Sequence, residues 1–299
     1  MKLKDSFHVY AIISIACWSS GYVFTRLALR YFSPLSLGLL RYCIASISLL
    51  IFALFVRMKI PDKKDIKWFV LSGFAGFSFY MVAFNIGSTT VTASTSSLMI
   101  ATSPVITTLL ARIVYREKLK IAQYIALIVE FIGVGFITLG NGIFSINTGL
   151  IWLIMASLAL SIYNLLQKRL TKTYSALQAS VFSIWFGTVP LLLFLPVSVT
   201  EVQTAPLIQV AYLIFLGIFT SAVAYISWTY AFSKSKNASS VTNYMFLTPF
   251  LTTLLGIFLA KETPDWATII GGLIIIVGMF IYNFLDKIVL RVNEARKPA

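Results

Sequence analysis

The chain is poor in charge, in cysteine and in histidine. Only 11% of its 299 residues are charged and 59% are hydrophobic, whereas about a quarter of the residues in a soluble globular domain carry charge. The two cysteines, Cys17 and Cys43, lie in apolar runs, and His8 is the single histidine. This composition excludes a water-soluble globule, and it predicts no metal site, no disulfide framework and no cofactor.

Acidic residues are scarce as well, with 10 Asp and Glu against 24 Lys and Arg. In a soluble chain such an excess would suggest nucleic acid, but here the basic residues lie mostly in short loops between apolar runs. A nucleic-acid groove needs a longer basic and polar surface. We therefore expect a lipid bilayer as partner and no nucleic acid.

Ten apolar runs are long enough to cross a bilayer. A hydrocarbon core of about 30 Å needs about 20 helical residues, and in lipid the backbone must form its hydrogen bonds within the helix. The sequence thus predicts an all-α integral membrane protein with ten transmembrane helices. The runs cover residues 7–26, 34–56, 67–87, 91–115, 119–140, 149–168, 176–197, 207–231, 239–260 and 266–286.

Lysine and arginine near the span ends collect on one side of the predicted membrane. The opposite side has only Arg26, Arg30 and Lys261. Because cytoplasmic loops carry the excess of basic residues, and because an even number of spans returns the chain to its starting side, both termini are predicted to be cytoplasmic.

Two stretches 145 positions apart nearly repeat each other. SPVITTLLARIVYREK at 103–118 and TPFLTTLLGIFLAKET at 248–263 share a proline, a Thr-Thr-Leu-Leu run and a glutamate, and the register continues to Gly133 and Gly278. We predict two five-helix repeats followed by a basic cytoplasmic tail. Five spans per repeat place the second copy upside down, an arrangement that suits alternating access. The predicted boundaries are 7–140, 149–286 and 287–299.

These features resemble an EamA-type member of the drug/metabolite transporter superfamily. The resemblance rests on REKL at 116–119 and KETP at 261–264, on CWSSGYVFTRLAL at 17–29 and on SPLSLGLLRY at 33–42. It implies two inverted five-helix repeats in a bacterial inner membrane, a central cavity lined by helices 1, 3, 4, 6, 8 and 9, and export of small metabolites, often amino acids. It does not fix the substrate, and a homodimer stays open.

Polar and aromatic residues of the predicted cavity helices are candidates for substrate binding. Hydroxyls, amides and rings suit a small amphipathic or zwitterionic solute. Each residue also has a structural alternative, since Ser and Thr pack helices together and Trp and Tyr form interfacial belts. The candidates are Trp18, Ser20, Tyr22, Tyr80, Asn85, Ser97, Thr102, Tyr163, Asn164, Tyr225, Trp228, Asn243 and Tyr244.

Two ionisable residues within spans each allow two interpretations. Glu130 lies about 16 Å into the fifth span, where an apolar residue is expected. It could couple transport to protons. The peripheral position of this helix in the resembling family instead favours a packing or dimer contact. Arg41 lies about seven residues inside the second span. It could attract a substrate carboxylate, but its shallow position favours a structural role with the side chain reaching the interface.

Four further residues are candidates for gating or for structure. Pro104 and Pro249 lie at matching places in the fourth and ninth spans, where a proline permits a kink. Glu117 and Glu262 end those spans on opposite sides of the membrane, beside basic residues, where a boundary ion pair or a helix cap is the simpler explanation.

The sequence therefore favours a secondary exporter of small metabolites, most of all amino acids, that works by alternating access. An exchanger of phosphorylated or nucleotide-linked metabolites and a non-transporting scaffold stay open as alternatives. Enzymatic function is not expected, because the spans carry no mid-span histidine, no HExxH motif and one deep carboxylate. The chain has no GxxxxGK[ST] motif, so it does not drive transport with ATP itself.

Overall fold

The structure, a computed structural model, describes residues 7–115, 121–139, 147–234 and 243–295. Within these ranges the chain is helical apart from short connections and contains no strand. The helices are α1 (Phe7–Ala28), α2 (Pro34–Phe55), α3 (Lys63–Ser88), α4 (Ala93–Ala101), α5 (Ser103–Tyr115), α6 (Ile121–Leu139), α7 (Thr148–Leu170), α8 (Ala176–Leu191), α9 (Leu195–Gln203), α10 (Leu207–Phe215), α11 (Ala224–Lys234), α12 (Leu247–Leu255) and α13 (Trp266–Ala295).

Six helical stretches of the described chain are long and apolar enough to cross a membrane by themselves. Shorter apolar helices lie over 124–137, 247–260 and 266–278. The chain is thus a multi-pass membrane protein, and its exposed leucines, isoleucines and phenylalanines are the surface that faces lipid. Stretches that meet the length and hydropathy criteria are Phe7–Ala28, Pro34–Phe55, Lys63–Ser88, Thr148–Gln167, Leu177–Gln203 and Leu207–Trp228.

Several helices begin at residues that cap them. The side chain of Ser33 accepts a hydrogen bond from the Ser36 amide, and Pro34 occupies the first helical position of α2, where its missing N–H costs nothing. Ser175 and Gln178 form a reciprocal capping box at the start of α8. These caps satisfy amides that have no partner within the helix.

Besides the π-helical turn Gly256–Ala260 that follows α12, two helical passages contain π-helical turns. One, Phe74–Phe79, lies inside α3, and the other, Leu216–Val223, joins α10 to α11. Glycines in both turns allow close approach of a neighbouring helix: a Cβ on Gly217 would come within 2.5 Å of Ile44, and Gly76 faces the ring of Tyr163 in the same way. Such π-turns are often found at functional sites.

Both predicted proline kinks coincide with irregular backbone. Helix α4 ends at Ala101 and α5 begins at Ser103, so that Pro104 is the second residue of a new helix. Pro249 is the third residue of α12 and follows a 3₁₀ turn, Asn243–Phe246. The missing proline N–H is tolerated there because the first turn of a helix has no partner for it.

The last helices of the two predicted repeats, α6 and α13, pack against each other along a seam of glycines. A Cβ on Gly133 would lie 2.8 Å from the Gly271 carbonyl oxygen, and one on Gly271 would lie 2.7 Å from the Gly133 carbonyl oxygen. The backbones therefore touch, as they do at small-residue interfaces in membranes. Ile128 and Phe131 are more than half exposed on the outer face of α6.

Candidate functional site

Nine aromatic side chains, here called the aromatic cluster, form two groups of ring contacts: six rings that include Trp18 and Phe77, and the three rings Tyr22, Tyr80 and Phe84. Phe77 and Phe84 belong to the same buried hydrophobic core. Trp18 contacts Trp228 and Tyr225 with ring centroids 5.0 and 5.6 Å apart. Phe77 joins Tyr225 at 5.7 Å to Tyr163 at 5.1 Å. Pairs with these spacings are attractive beyond the area they bury. The members are Trp18, Tyr22, Tyr42, Phe77, Tyr80, Phe84, Tyr163, Tyr225 and Trp228.

Five helices supply these rings, namely α1, α2, α3, α7 and α11. Two of the tyrosines follow π-turns. Tyr80 directly follows the turn in α3, and Tyr225 lies two residues after the turn between α10 and α11. A π-turn adds a residue to the helix, so it rotates the following side chains relative to a regular helix. Tyr22 interacts electrostatically with both tyrosines.

The rings of the aromatic cluster differ in exposure. Tyr42, Phe77, Phe84 and Tyr163 are buried, at 6% exposure or less. Trp18, Tyr22, Tyr80, Tyr225 and Trp228 keep accessible surface. Of these, Tyr22, Tyr80 and Tyr225 also pack against the buried hydrophobic core. The arrangement combines apolar walls with phenol groups, as ligand sites commonly do.

Arg41 of α2 extends into this cluster. Its side chain is buried, with 8% exposure, and its Nε donates a hydrogen bond to Ser221 Oγ at 2.8 Å. Its guanidinium carbon lies 5.9 Å from the centre of the Tyr42 ring. This geometry differs from the expectation that Arg41 reaches the interface. It gives the cluster a positive charge, and the attraction of a substrate carboxylate to Arg41 stays a prediction.

The other predicted binding residues of the first half lie outside the aromatic cluster, in helix contacts. Ser20 Oγ bonds to Cys17 O at 2.8 Å, and Ser97 Oγ bonds to Ser94 O at 2.8 Å, each within its own helix. Asn85 Nδ2 donates to Pro34 O at 2.9 Å. These groups satisfy the backbone, which is the structural alternative weighed for each of them.

Thr102, which lies between α4 and α5, and the predicted residues of the second half make similar contacts. Thr102 Oγ1 lies 3.2 Å from Ser157 Oγ, and Asn164 Nδ2 donates to Thr107 Oγ1 at 3.2 Å. Tyr244 lies near the start of α1, where its hydroxyl is 2.5 Å from His8 Nδ1, and it is not a member of the aromatic cluster. The side chain of Asn243 lies outside the described residues.

Glu130 lies in the seam between α6 and α13. It is 2% exposed, and within the described part of the chain neither carboxyl oxygen has a hydrogen-bond partner. A Cβ on Gly278 would come 2.6 Å from Glu130 Cγ. The carboxyl group is thus packed against the opposite helix at a distance from the aromatic cluster, as the packing alternative expects.

Glu262 forms an ion pair with Arg26 across the helix ends. Arg26 Nε lies 3.1 Å from Glu262 Oε1, and Glu262 Oε2 accepts a hydrogen bond from the Ala93 amide at 2.8 Å, at the N-terminus of α4. Arg26 also donates to the carbonyl oxygens of Ser88 and Thr89. One carboxylate therefore serves both as ion-pair partner and as helix cap, whereas Glu117 lies outside the described residues.

Sequence reasoning missed several members of the site. Tyr42, Phe77 and Phe84 were not selected, because phenylalanine in an apolar run looks like ordinary core. Ser221, the partner of Arg41, was not selected either. The signal available in the sequence was the glycine beside each π-turn, Gly76 and Gly217, but a glycine in a membrane helix marks close packing far more often than a site.

Comparison with known proteins decides the family. The model of the EamA-like transporter family matches residues 6–139 and again residues 147–284. The chain belongs to the EamA-like transporter family. It is accordingly a transporter, and not an enzyme.

Relatives of this EamA-like transporter match it over nearly their whole lengths. It is 32% identical over 290 residues to the uncharacterized transporter YdfC of Bacillus subtilis, covering 95% of this chain and 94% of the relative. It is 30% identical over 299 residues to a probable terminal-alkyne amino-acid exporter of Streptantibioticus cattleyicolor, covering 100% and 99%.

A solved crystal structure shares the fold of the EamA-like transporter. It superposes with a TM-score of 0.61 at 16% identity, and the match covers 93% of this chain and 97% of that one. At this identity the likeness concerns the fold alone.

Proposed function

We propose that the chain is a secondary transporter that exports amino acids or related small amphipathic compounds across a bacterial inner membrane by alternating access. The observation that carries this proposal is the aromatic cluster, where half-buried rings from α1, α3 and α11 surround a buried guanidinium. Such a lining offers apolar contact to one end of a solute and polar groups to the other. The similarity to a relative named a probable terminal-alkyne amino-acid exporter supports the same class.

We further propose ten spans in two inverted five-helix repeats, with the boundaries 7–140 and 149–286 and both termini cytoplasmic. The family model matches the chain twice, near these boundaries. Each of the ten predicted runs contains helix. Six helical stretches of the described chain are by themselves long and apolar enough to cross a membrane. A tag at Ala299 that reacts only from outside the cell would contradict this orientation.

Contacts in the seam support the repeat. A Cβ on Gly133 would lie 2.7 Å from Ile275 Cγ1, and a Cβ on Gly278 would lie 2.6 Å from Glu130 Cγ. The two repeated stretches are 145 positions apart. The same shift relates Gly133 to Gly278 and Glu130 to Ile275, so it turns the first contact into the second. Exchange of this kind is what a two-fold relation between the halves requires.

Hydrogen bonds to the proline-bearing helices support the repeat independently. Ser161 Oγ of α7 donates to Ser103 O at 3.0 Å, and Ser19 Oγ of α1 donates to Thr248 O at 3.4 Å. Each acceptor is the residue that precedes the matching proline. The first helix of each predicted half thus holds the irregular helix of the other half at the same point.

Exchange of phosphorylated or nucleotide-linked solutes is the second candidate, and the described cluster disfavours it. A phosphate dianion calls for several convergent basic groups, whereas Arg41 is the single cation found at the aromatic cluster among the described residues. A homodimer remains a prediction without a supporting contact.

Counterflow in proteoliposomes tests the proposal. Vesicles with the purified transporter are loaded with unlabelled amino acids one at a time, and entry of labelled leucine or phenylalanine is followed. We expect internal amino acids with apolar side chains to accelerate uptake. Equal uptake with every internal solute and with empty vesicles, by protein shown to be folded and inserted, would contradict an amino-acid carrier and favour the phosphorylated solutes, to be tested next in the same vesicles.

A further inference from the structure

The guanidinium of Arg41 is a buried charge without a counter-charge. Its side chain is 8% exposed, and among the residues that the structure describes no carboxylate lies within 4.0 Å of it. The ion pairs of this part of the chain join other residues, Arg26 to Glu262 and Lys64 to Asp62. An unpaired charge in the apolar part of a membrane protein is costly and marks a functional group by default.

The side chains around Arg41 reduce this cost without removing it. Tyr22, Tyr42, Tyr80 and Tyr225 are electrostatic neighbours of the guanidinium. Neutral phenols offer dipoles and ring faces, and the Tyr42 ring centre is 5.9 Å from the guanidinium carbon. Ring faces attract a cation, but they carry no net negative charge. The described residues therefore supply no formal counter-charge within ion-pair distance of Arg41.

The hydrogen-bonding capacity of Arg41 is mostly unused. A guanidinium has five N–H donors in a planar fork, and within the described residues Arg41 makes one side-chain hydrogen bond, from Nε to Ser221 Oγ at 2.8 Å. This bond fixes the plane of the fork against the π-turn Leu216–Val223. The two terminal nitrogens keep four N–H groups, the geometry that binds both oxygens of a carboxylate at once.

The rings beside Arg41 supply surfaces for the remainder of such an anion. Trp18 and Trp228 contact each other at 5.0 Å and keep accessible surface, as Tyr22, Tyr80 and Tyr225 do. An apolar side chain fits against the indoles, and an ammonium group finds phenol oxygens and ring faces. The polar end and the apolar end of one small solute would thus be held by neighbouring parts of the same cluster.

We propose that Arg41 is the anchor for the carboxylate of the transported solute, and that the aromatic cluster holds the apolar side chain of the same molecule. The substrate class is then a small free carboxylic acid with an apolar group, such as an amino acid, and not its amide, its ester or the corresponding amine. This assignment rests on the proposed function and makes it more specific.

The test uses the full-length transporter in counterflow and compares solutes that differ in the carboxylate. Labelled phenylalanine is followed while vesicles hold phenylalanine, phenylalaninamide, phenylethylamine or phenyl phosphate. We expect the wild-type protein to prefer the free acid to the amide roughly tenfold or more, the effect of losing a charge-assisted hydrogen-bonded pair. This comparison needs no variant, so it holds even if a substitution at Arg41 prevents folding.

Variants then assign the preference to one residue. Arg41→Gln should remove the preference for the acid over the amide, and Arg41→Lys should keep part of it, because an ammonium retains the charge and loses the fork. Arg112→Gln is the matched control, since Arg112 is an exposed arginine of α5 whose guanidinium lies over Tyr124. It should behave like the wild-type protein.

The outcomes separate the two proposals. If no loaded solute accelerates uptake by the folded wild-type protein, the proposed function fails, and the anchor fails with it. If the wild-type protein takes acid and amide equally, if it prefers phenyl phosphate, or if Arg41→Gln keeps the full preference for the acid, the anchor is wrong although the transporter function stands. Loss of the preference in Arg41→Gln, with internal phenylalaninamide still accelerating uptake of the label, supports the anchor and excludes a merely structural role.

Discussion

Two buried ionisable residues, Arg41 in the aromatic cluster and Glu130 in the glycine seam, have opposite surroundings. Arg41 is bonded to Ser221 and has four tyrosines as electrostatic neighbours, several of them accessible. Glu130 is packed against the backbone of Gly278 and has no hydrogen-bond partner within the described residues. Depth along a helix therefore does not distinguish a binding group from a packing group. Neighbouring side chains do.

The seam between α6 and α13 contains two equivalent contacts, one from each half, and only one of them involves an ionisable side chain. A Cβ placed on Gly278 would lie 2.6 Å from Glu130 Cγ, and a Cβ placed on Gly133 would lie 2.7 Å from Ile275 Cγ1. The two contacts are therefore equivalent in the two halves. A carboxyl side chain thus occupies the place that an aliphatic side chain fills in the second half. Such a position suits a neutral, packed carboxyl group, whereas the guanidinium of Arg41 has a hydroxyl partner, Ser221, and lies 5.9 Å from the centre of the Tyr42 ring.

The largest expected effect comes from filling the seam. Gly133→Val should lower stability by about 1–3 kcal/mol or prevent folding, because its Cβ would lie 2.8 Å from the Gly271 carbonyl oxygen. Thermal unfolding followed by size-exclusion chromatography measures it. Gly135→Val is the control, since a Cβ at Gly135 meets nothing within 4 Å. Equal unfolding temperatures for the two variants would contradict the close packing of α6 and α13.

The next effect should separate transport from stability at the aromatic cluster. Trp18→Ala removes two ring contacts, with Trp228 and Tyr225, each worth about 0.5–1.5 kcal/mol. We expect the KM of counterflow to rise roughly tenfold while the protein still folds. Trp266→Ala, which changes an exposed tryptophan at the start of α13, should leave KM unchanged. A normal KM in Trp18→Ala would exclude this ring from the substrate site.

A smaller effect is expected from the hydrogen bond that orients Arg41. Ser221→Ala leaves the charge in place but frees Nε, so it should raise KM by a factor of about three to ten, as expected for the loss of one typical hydrogen bond that acts on the substrate only through Arg41. The matched control is Ser48→Ala, because Ser48 Oγ bonds to Ile44 O of its own helix at 2.9 Å. If both variants transport like the wild-type protein, Ser221 does not position the guanidinium.

The smallest effect on transport is expected at Glu130. Glu130→Gln and Glu130→Ile should both leave the rate of counterflow and its dependence on pH within about twofold of the wild type. Glu130→Ile should unfold at an equal or higher temperature, since it removes a buried polar group that has no hydrogen-bond partner within the described residues and whose burial is costly. Counterflow measured across neutral pH tests this. A flattened pH profile in Glu130→Gln would instead make Glu130 a proton-coupling residue.

Composition and local signals predicted much of the architecture. The apolar runs that begin at residues 34 and 176 predicted helix starts that the structure has at the same places, where Ser33 and Ser175 cap the helices. These features are local, so one sequence suffices to find them. Six of the thirteen residues predicted to bind substrate are members of the aromatic cluster: Trp18, Tyr22, Tyr80, Tyr163, Tyr225 and Trp228.

Other parts of the site could not be predicted from one sequence. A helical wheel assumes 3.6 residues per turn, and the π-turns before Tyr80 and Tyr225 change that phase, so the faces of α3 and α11 cannot be assigned from periodicity alone. The direction of Arg41 depends on Gly217, 176 positions away, which lets the π-turn approach α2. Contacts at such separations are properties of the packed helices.

The ion pair of Arg26 and Glu262 has an electrical consequence. One positive and one negative charge lie 3.1 Å apart, and their sum is zero. A rearrangement that moved both groups together would carry no net charge across the membrane. The membrane potential is worth about 2.3 kcal/mol per elementary charge per 100 mV, and it would do no work on such a rearrangement. Separating the pair would make that end of the bundle sensitive to voltage, with a sign set by whichever helix moved.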